Sequence, residues 1–240
     1  MIYGTRAVIE AIAAGKEIDK VMIQSGLTND LIKELIAVAR NNNIPIAFVP
    51  AEKLKRISTK NHQGVICLLS VVAFASVDDL IYRAYNEGRE PFFLILDRIT
   101  DVRNFGAIVR TAECAGVDGI IIPDKGNAPI TSDAMKTSAG ALNHLPICRE
   151  KDLKKTIQLL HDNGIRVVAC TEKTERSLYQ LNLTGPITII LGSEEDGISD
   201  ILLRQADDLA QIPLKGKIGS LNVSVAAGVA LYEVVRQKKM

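Results

Sequence analysis

Three stretches of this 240-residue chain carry side chains whose types and spacing suit chemistry, and each follows an apolar run. The first runs from Asp97 to Arg110 after Phe92–Leu96 and contains Asn104, Gly106 and Arg110. Asn is a strong helix cap, and Gly permits close approach of another backbone. The plain reading is a capped helix with solvated arginines. The second, Leu191-Gly192-Ser193-Glu194-Glu195-Asp196-Gly197, follows Ile187–Leu191. It has neither the glycine spacing of a dinucleotide turn nor the lysine of a phosphate loop, and its acids argue against phosphate binding. A cofactor would use Gly192 for close approach and Glu194 for a hydrogen bond or charge; otherwise the stretch is an acidic turn before a helix. The third runs from Ile212 to Ala227 and contains Lys215, Lys217, Ser220, Leu221 and Asn222. Ser220 or Asn222 could begin the last helix, whose small residues Ser224, Ala226, Ala227, Gly228 and Ala230 suit tight packing.

The elements that must position these loops alternate along the chain. Periodicity predicts helices at Thr5–Ala14, Asn29–Arg40, Ala51–Ile57, Val77–Asn86, Phe105–Ala115, Ser132–Leu142, Leu153–His161 and Leu221–Arg236. Strands are predicted at Lys20–Gln24, Ile44–Val49, Gln63–Val72, Pro91–Leu96, Gly119–Ile122, Arg166–Cys170, Ile187–Leu191 and Asp207–Ile212. This alternation implies α/β architecture with a mainly parallel sheet covered on both faces, and ligands beyond the carboxyl ends of its strands. Residues 1–72 form a small α/β module, 73–76 a linker, and 77–240 a larger domain.

Composition sets limits. Hydrophobic residues make up 47% and charged residues 24%, enough apolar mass for a real core and too much for overall disorder. Aromatics are 4% with no Trp, which argues against single-strand binding through stacked rings. The net charge of +1 is no polycation, but it is unevenly split. Residues 1–72 hold 9 basic and 6 acidic side chains; residues 73–240 hold 20 and 22. Attraction for a polyanion is thus biased to the N-terminal segment. Cys67, Cys114, Cys148 and Cys170 form no C-x-x-C pair and read as buried thiols of a reducing, cytoplasmic compartment. No signal peptide, membrane span or metal cluster is expected. Among the histidines, His161 ends a helix, His144 reads as packing, and His62 as a surface residue of the small module.

In combination, the three loops resemble the motifs of the SpoU (TrmH-type) RNA ribose 2′-O-methyltransferases, in the family's order over residues 94–235. Tyr3-Gly4-Thr5-Arg6-Ala7-Val8 and His62-Gln63-Gly64 look like that family's N-terminal RNA-binding module, so the resemblance spans nearly the whole chain. It is nearest the large-subunit rRNA guanosine-2′-O-methyltransferases, with tRNA the second substrate class. The resemblance implies a knotted (trefoil) parallel-sheet methyltransferase domain of the SPOUT type behind the RNA-binding module. Alternation alone would suggest an ordinary doubly wound sheet. It also implies S-adenosylmethionine as co-substrate, no metal, and a homodimer joined at the knot.

By the same resemblance, Asn104, Arg110, Glu194, Ser220 and Asn222 are catalytic or substrate-positioning. Thr171, Leu191, Gly192, Ile212, Leu214 and Leu221 contact the cofactor. Arg110 is read as a donor to the ribose or its phosphate, because a guanidinium keeps its proton above pH ~12. Glu194 has the alternative of simply pairing with an arginine. Arg6, Lys136, Lys215 and Lys217 are expected at RNA phosphates. Two other classes fit less well. A nicotinamide oxidoreductase lacks its glycine-rich turn here, and a non-catalytic RNA-binding protein would have lost Asn104, Arg110 or Glu194.

Overall fold

The computed structural model describes residues 1–238; Lys239 and Met240, the end of the expected second domain, lie outside the described residues. Contacts divide the chain into two units: Met1–Ala73 with Pro129–Asp133, and Phe74–Ala128 with Ala134 onward.

The first unit holds a four-stranded sheet of β1 (Ile2–Tyr3), β2 (Ile18–Gln24), β3 (Ile46–Val49) and β4 (Val65–Leu69) in the order β1-β4-β2-β3. Only β2 and β3 run parallel. The helices are α1 (Thr5–Ala13), α2 (Asp30–Asn41) and α3 (Ala51–Ile57). Val8, Ile12, Ile32 and Leu35 of α1 and α2 pack on Val21, Ile23, Val65 and Cys67 of one sheet face. Leu54 of α3 packs with Met22, Ile66 and Leu68 on the other. The side-chain alternation along β2 and β4 separates these two layers.

The second unit is a seven-stranded sheet. Its strands are β5 (Phe74–Ala75), β6 (Phe92–Asp97), β7 (Gly119–Pro123), β8 (Ile147–Glu150), β9 (Arg166–Cys170), β10 (Ile187–Gly192) and β11 (Asp208–Ala210). The order is β11-β9-β10-β6-β7-β8-β5, and every neighbouring pair is parallel. Helices are α4 (Val77–Asn86), α5 (Val102–Cys114), α6 (Ser132–Thr137), α7 (Leu153–Asp162), α8 (Asp200–Leu203) and α9 (Val223–Lys238). Every residue of β6 is buried, as a central strand covered on both faces requires. Register carries the consequence for function. Leu191 is paired with Leu96 and Gly192 with Asp97, so β6 and β10 end together. The loops after β6, β9, β10 and β11 therefore leave the same edge of the sheet.

Several expectations need correction. Phe74–Ala75, expected as linker, is β5 and pairs with β8. The single helix at Ser132–Leu142 is broken: Ala139 and Gly140 have φ of 51° and 86°, a left-handed stop that ends the helical run. A short 3₁₀ turn, Ala141–Asn143, follows. The residue capping α5 is Asp101, whose carboxylate accepts from Asn104 N at 2.8 Å; Asn104 lies inside the first turn. The last helix starts at Val223, with Asn222 accepting from Ser224 N at 3.0 Å. Strand β8 was missed because its outer half, Arg149-Glu150, is charged. Cys67 and Cys148 are buried, and burial pushes their thiols up to about 11 and about 12. Cys114 is exposed, and so is His144. His161 meets Asp207 at 3.0 Å at the end of α7. Among the described residues no helix is long and apolar enough to cross a membrane.

Candidate active site

A cleft of about 620 Å³ lies where the loops after β9, β10 and β11 converge. That volume is in the range of small-molecule sites. Every residue expected at a cofactor lines it: Thr171, Leu191, Gly192, Ile212, Leu214 and Leu221. Glu194, Ser220 and Asn222 line it too. The cleft also contains Glu172, Ser193, Gln211 and Ile198, which the sequence reading did not single out.

The β10 loop doubles back tightly. Gly197 N donates to Ser193 O at 3.0 Å, and Asp196 N to Ser193 Oγ at 3.1 Å. A methyl at Gly192 would overlap the backbone of Gly197 and Ile198, so only glycine fits there. Beneath the turn sits a clamp that the sequence did not announce. Asp97, buried at the end of β6, accepts from Ser199 N at 2.7 Å and from Arg98 Nε at 3.1 Å. The Arg98 guanidinium continues to Asp196 Oδ2 at 3.1 Å and Gly197 O at 3.2 Å. These acids, Asp97 first, hold the guanidinium above its ordinary pKa. Replacing Arg98 with Ala strips Asp97 and Gly197 O of a donor. The expected loss is roughly 1–3 kcal/mol for an unsatisfied buried acceptor, seen as a lower urea midpoint. A midpoint equal to that of the unaltered chain would mean the clamp holds nothing.

The polar centre is a three-residue contact. Asn222 Nδ2 donates to Asn104 Oδ1 at 3.0 Å and to Glu194 Oε1 at 2.9 Å. Asn222 Oδ1 accepts from Ser224 N at 3.0 Å and Ser224 Oγ at 2.5 Å. Glu194 Oε1 also faces Val223 N at 3.4 Å, at the N-terminus of α9 where negative charge is favoured. One residue from each of the three sequence loops thus meets here. With two donated and two accepted bonds, the Asn222 amide is saturated. Asn104 Nδ2 and Glu194 Oε2 are left without a hydrogen-bond partner among the described residues. Among the described residues Glu194 pairs with no arginine; its partners are Asn222 Nδ2 and Val223 N.

Close packing fixes the first turn of α5, in which Asn104 lies. A methyl at Gly106 would overlap Thr137, whose hydroxyl donates to Val102 O at 3.2 Å in the first turn of α5.

Arg110 is not brought in. It is exposed on α5, outside the cleft lining, with no hydrogen bond or ion pair among the described residues. Ser220 is exposed on the 212–222 loop, as are Lys215 and Lys217; Lys136 is exposed in the last turn of α6, and Arg6 in the first turn of α1. No cluster of three or more metal-ligating side chains occurs among the described residues.

Comparison with known proteins extends this geometry. Residues 91–232 match the model of the SpoU rRNA methylase family, and residues 1–72 match a model described as RNA 2′-O ribose methyltransferase substrate binding. YacO of Bacillus subtilis, named as a TrmH family tRNA/rRNA methyltransferase, is 33% identical over 99% of this chain and 95% of its own length. A relative of the same description from Staphylococcus aureus is 36% identical over 99% of this chain and 96% of its own. Among solved structures, the AdoMet-bound rRNA methyltransferase of Sinorhizobium meliloti has a TM-score of 0.62 at 25% identity, covering 95% of this chain and 84% of that one. The SpoU methyltransferase AviRb of Streptomyces viridochromogenes shares the fold, with a TM-score of 0.63 at 23% identity, covering 99% of this chain and 89% of that one. Two matched models in tandem, relatives alike from end to end, and three loops joined at Asn222 agree: this chain belongs to the SpoU (TrmH-type) family of RNA methyltransferases.

Proposed function

We propose that the chain transfers the methyl group of S-adenosylmethionine to a ribose 2′-hydroxyl in RNA, its target a guanosine of large-subunit rRNA. The observation that carries this reading is the Asn104–Asn222–Glu194 contact beside the cleft. The cleft fits the cofactor by charge as well as size. Its lining includes Glu172, Glu194, Glu195 and Asp196 and, among the described residues, no Lys, Arg or His, so its field favours a cation. S-adenosylmethionine bound there supplies an electrophilic methyl on a positively charged sulfonium. The Sinorhizobium protein is an AdoMet-bound rRNA methyltransferase, which supports the same ligand and substrate class here.

The chain's own residues hold and orient. Gly192 lets the β10 loop close on the cleft, and Asn222 fixes the Asn104 amide and the Glu194 carboxylate. These leave a donor and an acceptor to hold the attacking hydroxyl in line, the geometry that makes transfer effectively unimolecular, and the acceptor, Glu194 Oε2, takes the hydroxyl's proton as its oxygen gains the methyl. Arg110 points elsewhere in the single chain, so we place it in the site of a second copy, within a homodimer. There its permanent charge grips the ribose or its phosphate and lowers the hydroxyl's pKa. Residues 1–72 place the RNA, helped by Arg6, with Lys136, Lys215 and Lys217 on phosphates. We also read the C-terminal segment as threaded into the family's trefoil knot, and the setting as cytoplasmic.

The test is a calorimetric titration with S-adenosylmethionine, followed by label transfer from it to total RNA. One site per chain and labelled large-subunit rRNA are expected. No heat at millimolar cofactor would overturn the reading, and label confined to tRNA would move the target.

A further inference from the structure

The motifs Tyr3-Gly4-Thr5-Arg6 and His62-Gln63-Gly64 lie at opposite ends of the first unit's sequence and meet in space. Tyr3 pairs with Ile66 across β1 and β4, and Gly4 N donates to Val65 O at 3.1 Å. A methyl at Gly4 would stand 3.3 Å from Gln63 Oε1. Lys60 Nζ lies 5.5 Å from the centre of the Tyr3 ring, and Arg6 sits two residues beyond Gly4. Arg6, Lys60 and Gln63 are all exposed. Among the described residues, the side chains of Arg6 and Gln63 form no hydrogen bond or ion pair, and that of Lys60 touches only the ring.

Gln63 is displayed at a cost. Its φ is 50°, the left-handed region that penalises any residue with a Cβ. The turn itself is held by backbone and by His62. Val65 N donates to His62 O at 2.8 Å, Gly64 N to His62 Nδ1 at 3.0 Å, and Gln24 N to Gly64 O at 2.7 Å. Nothing in that bonding uses the glutamine side chain. Glycine would make the same turn without strain, so the amide serves something outside the fold.

We propose that this corner reads a nucleobase edge in single-stranded or looped RNA. The Gln63 amide, carrying both donor and acceptor, pairs with the edge of an unstacked base. Arg6 and Lys60 hold the phosphates beside it. This rests on the RNA-methyltransferase reading and adds the point at which the substrate's sequence is sensed.

The experiment uses the full chain, a defined loop RNA that it methylates, and two variants, Gln63→Gly and Arg6→Ala/Lys60→Ala. Thermal midpoint, S-adenosylmethionine affinity and RNA affinity at several salt concentrations are measured. For Gln63→Gly the midpoint should hold or rise and cofactor affinity should stay unchanged. Its RNA affinity should fall about tenfold, the worth of one good base contact, with the salt slope kept and the preference among loop sequences flattened. The double variant should bind all RNAs more weakly, with a salt slope shallower by about 1.4 for two phosphate contacts on a single strand. A Gln63→Gly protein that melts lower and binds RNA like the parent overturns the proposal. So does one that binds every loop sequence with the parent's preference. Gln63-dependent RNA binding by a chain that transfers no methyl would support the corner while sinking the transfer reading, so the two failures are separable.

Discussion

Replacing Glu194 with Ala should lower the rate of methyl transfer by about 10²-fold, the scale expected when a positioned group is displaced by about 1 Å. Glu194 Oε1 is the acceptor for Asn222 Nδ2 and faces Val223 N at the start of α9. Without it the Asn222 amide loses one of its four bonds and is free to turn, taking Asn104 with it. Glu194→Gln separates charge from geometry, because its amide oxygen can still accept from Asn222. The glutamine variant should keep Asn222 in place and lose only the contribution of the negative charge, so its rate should fall between parent and alanine variant. Single-turnover rates at saturating RNA and cofactor would show this. An alanine variant within twofold of the parent would remove Glu194 from the site.

Replacing Gly192 with Ala should be as damaging through sterics alone. The added methyl would overlap the backbone of Gly197 and Ile198, which a rotamer change cannot relieve. The turn closed by Gly197 N to Ser193 O must then open, and it forms one wall of the cleft. Forced overpacking of this kind costs roughly 1–3 kcal/mol, which as lost cofactor affinity is a rise in Kd of about fivefold to 150-fold. Gly219 in the same cleft is the internal control, since a methyl there meets nothing. Gly219→Ala should stay within about 0.5 kcal/mol of the parent in stability. Calorimetry with S-adenosylmethionine and thermal melts of both variants would decide. A Gly192→Ala protein with the parent's affinity would mean that the loop is not the cofactor's wall.

Much of this site was legible in the sequence because its loops follow unbroken apolar strands. Ile187–Leu191 and Phe92–Leu96 are buried in parallel register, and that register sets Gly192 beside Asp97. What stayed hidden depends on partners far apart in the chain. Asp97 and Arg98 read as ordinary loop charges until Ser199 N and Asp196 are placed against them. Asn222 is expected as a catalytic or substrate-positioning residue, and its four bonds to Asn104, Glu194 and Ser224 join residues too far apart in the chain for the sequence to announce. The cap of α5 was misplaced by one turn because Asp101 and Asn104 are both good caps three residues apart, and composition alone cannot rank them. Cys114 was expected inside for its apolar neighbours, yet it lies on the exposed face of α5. Arg110, named from its motif, is the residue whose place a single chain does not explain, which is why a second copy enters the proposal.

In the proposed function the Asn104–Asn222–Glu194 contact presents a ribose hydroxyl to a methyl donor in the cleft. The most direct measurement is to incubate the protein with S-adenosylmethionine bearing a deuterated methyl group and with unmodified large-subunit rRNA, then digest to nucleosides and resolve them by mass spectrometry. The heavy methyl is expected on a ribose, at a position whose phosphodiester has become resistant to alkali, and Glu194→Ala is expected to slow its appearance about 10²-fold. A heavy methyl on a base, with every phosphodiester still alkali-labile, would contradict it.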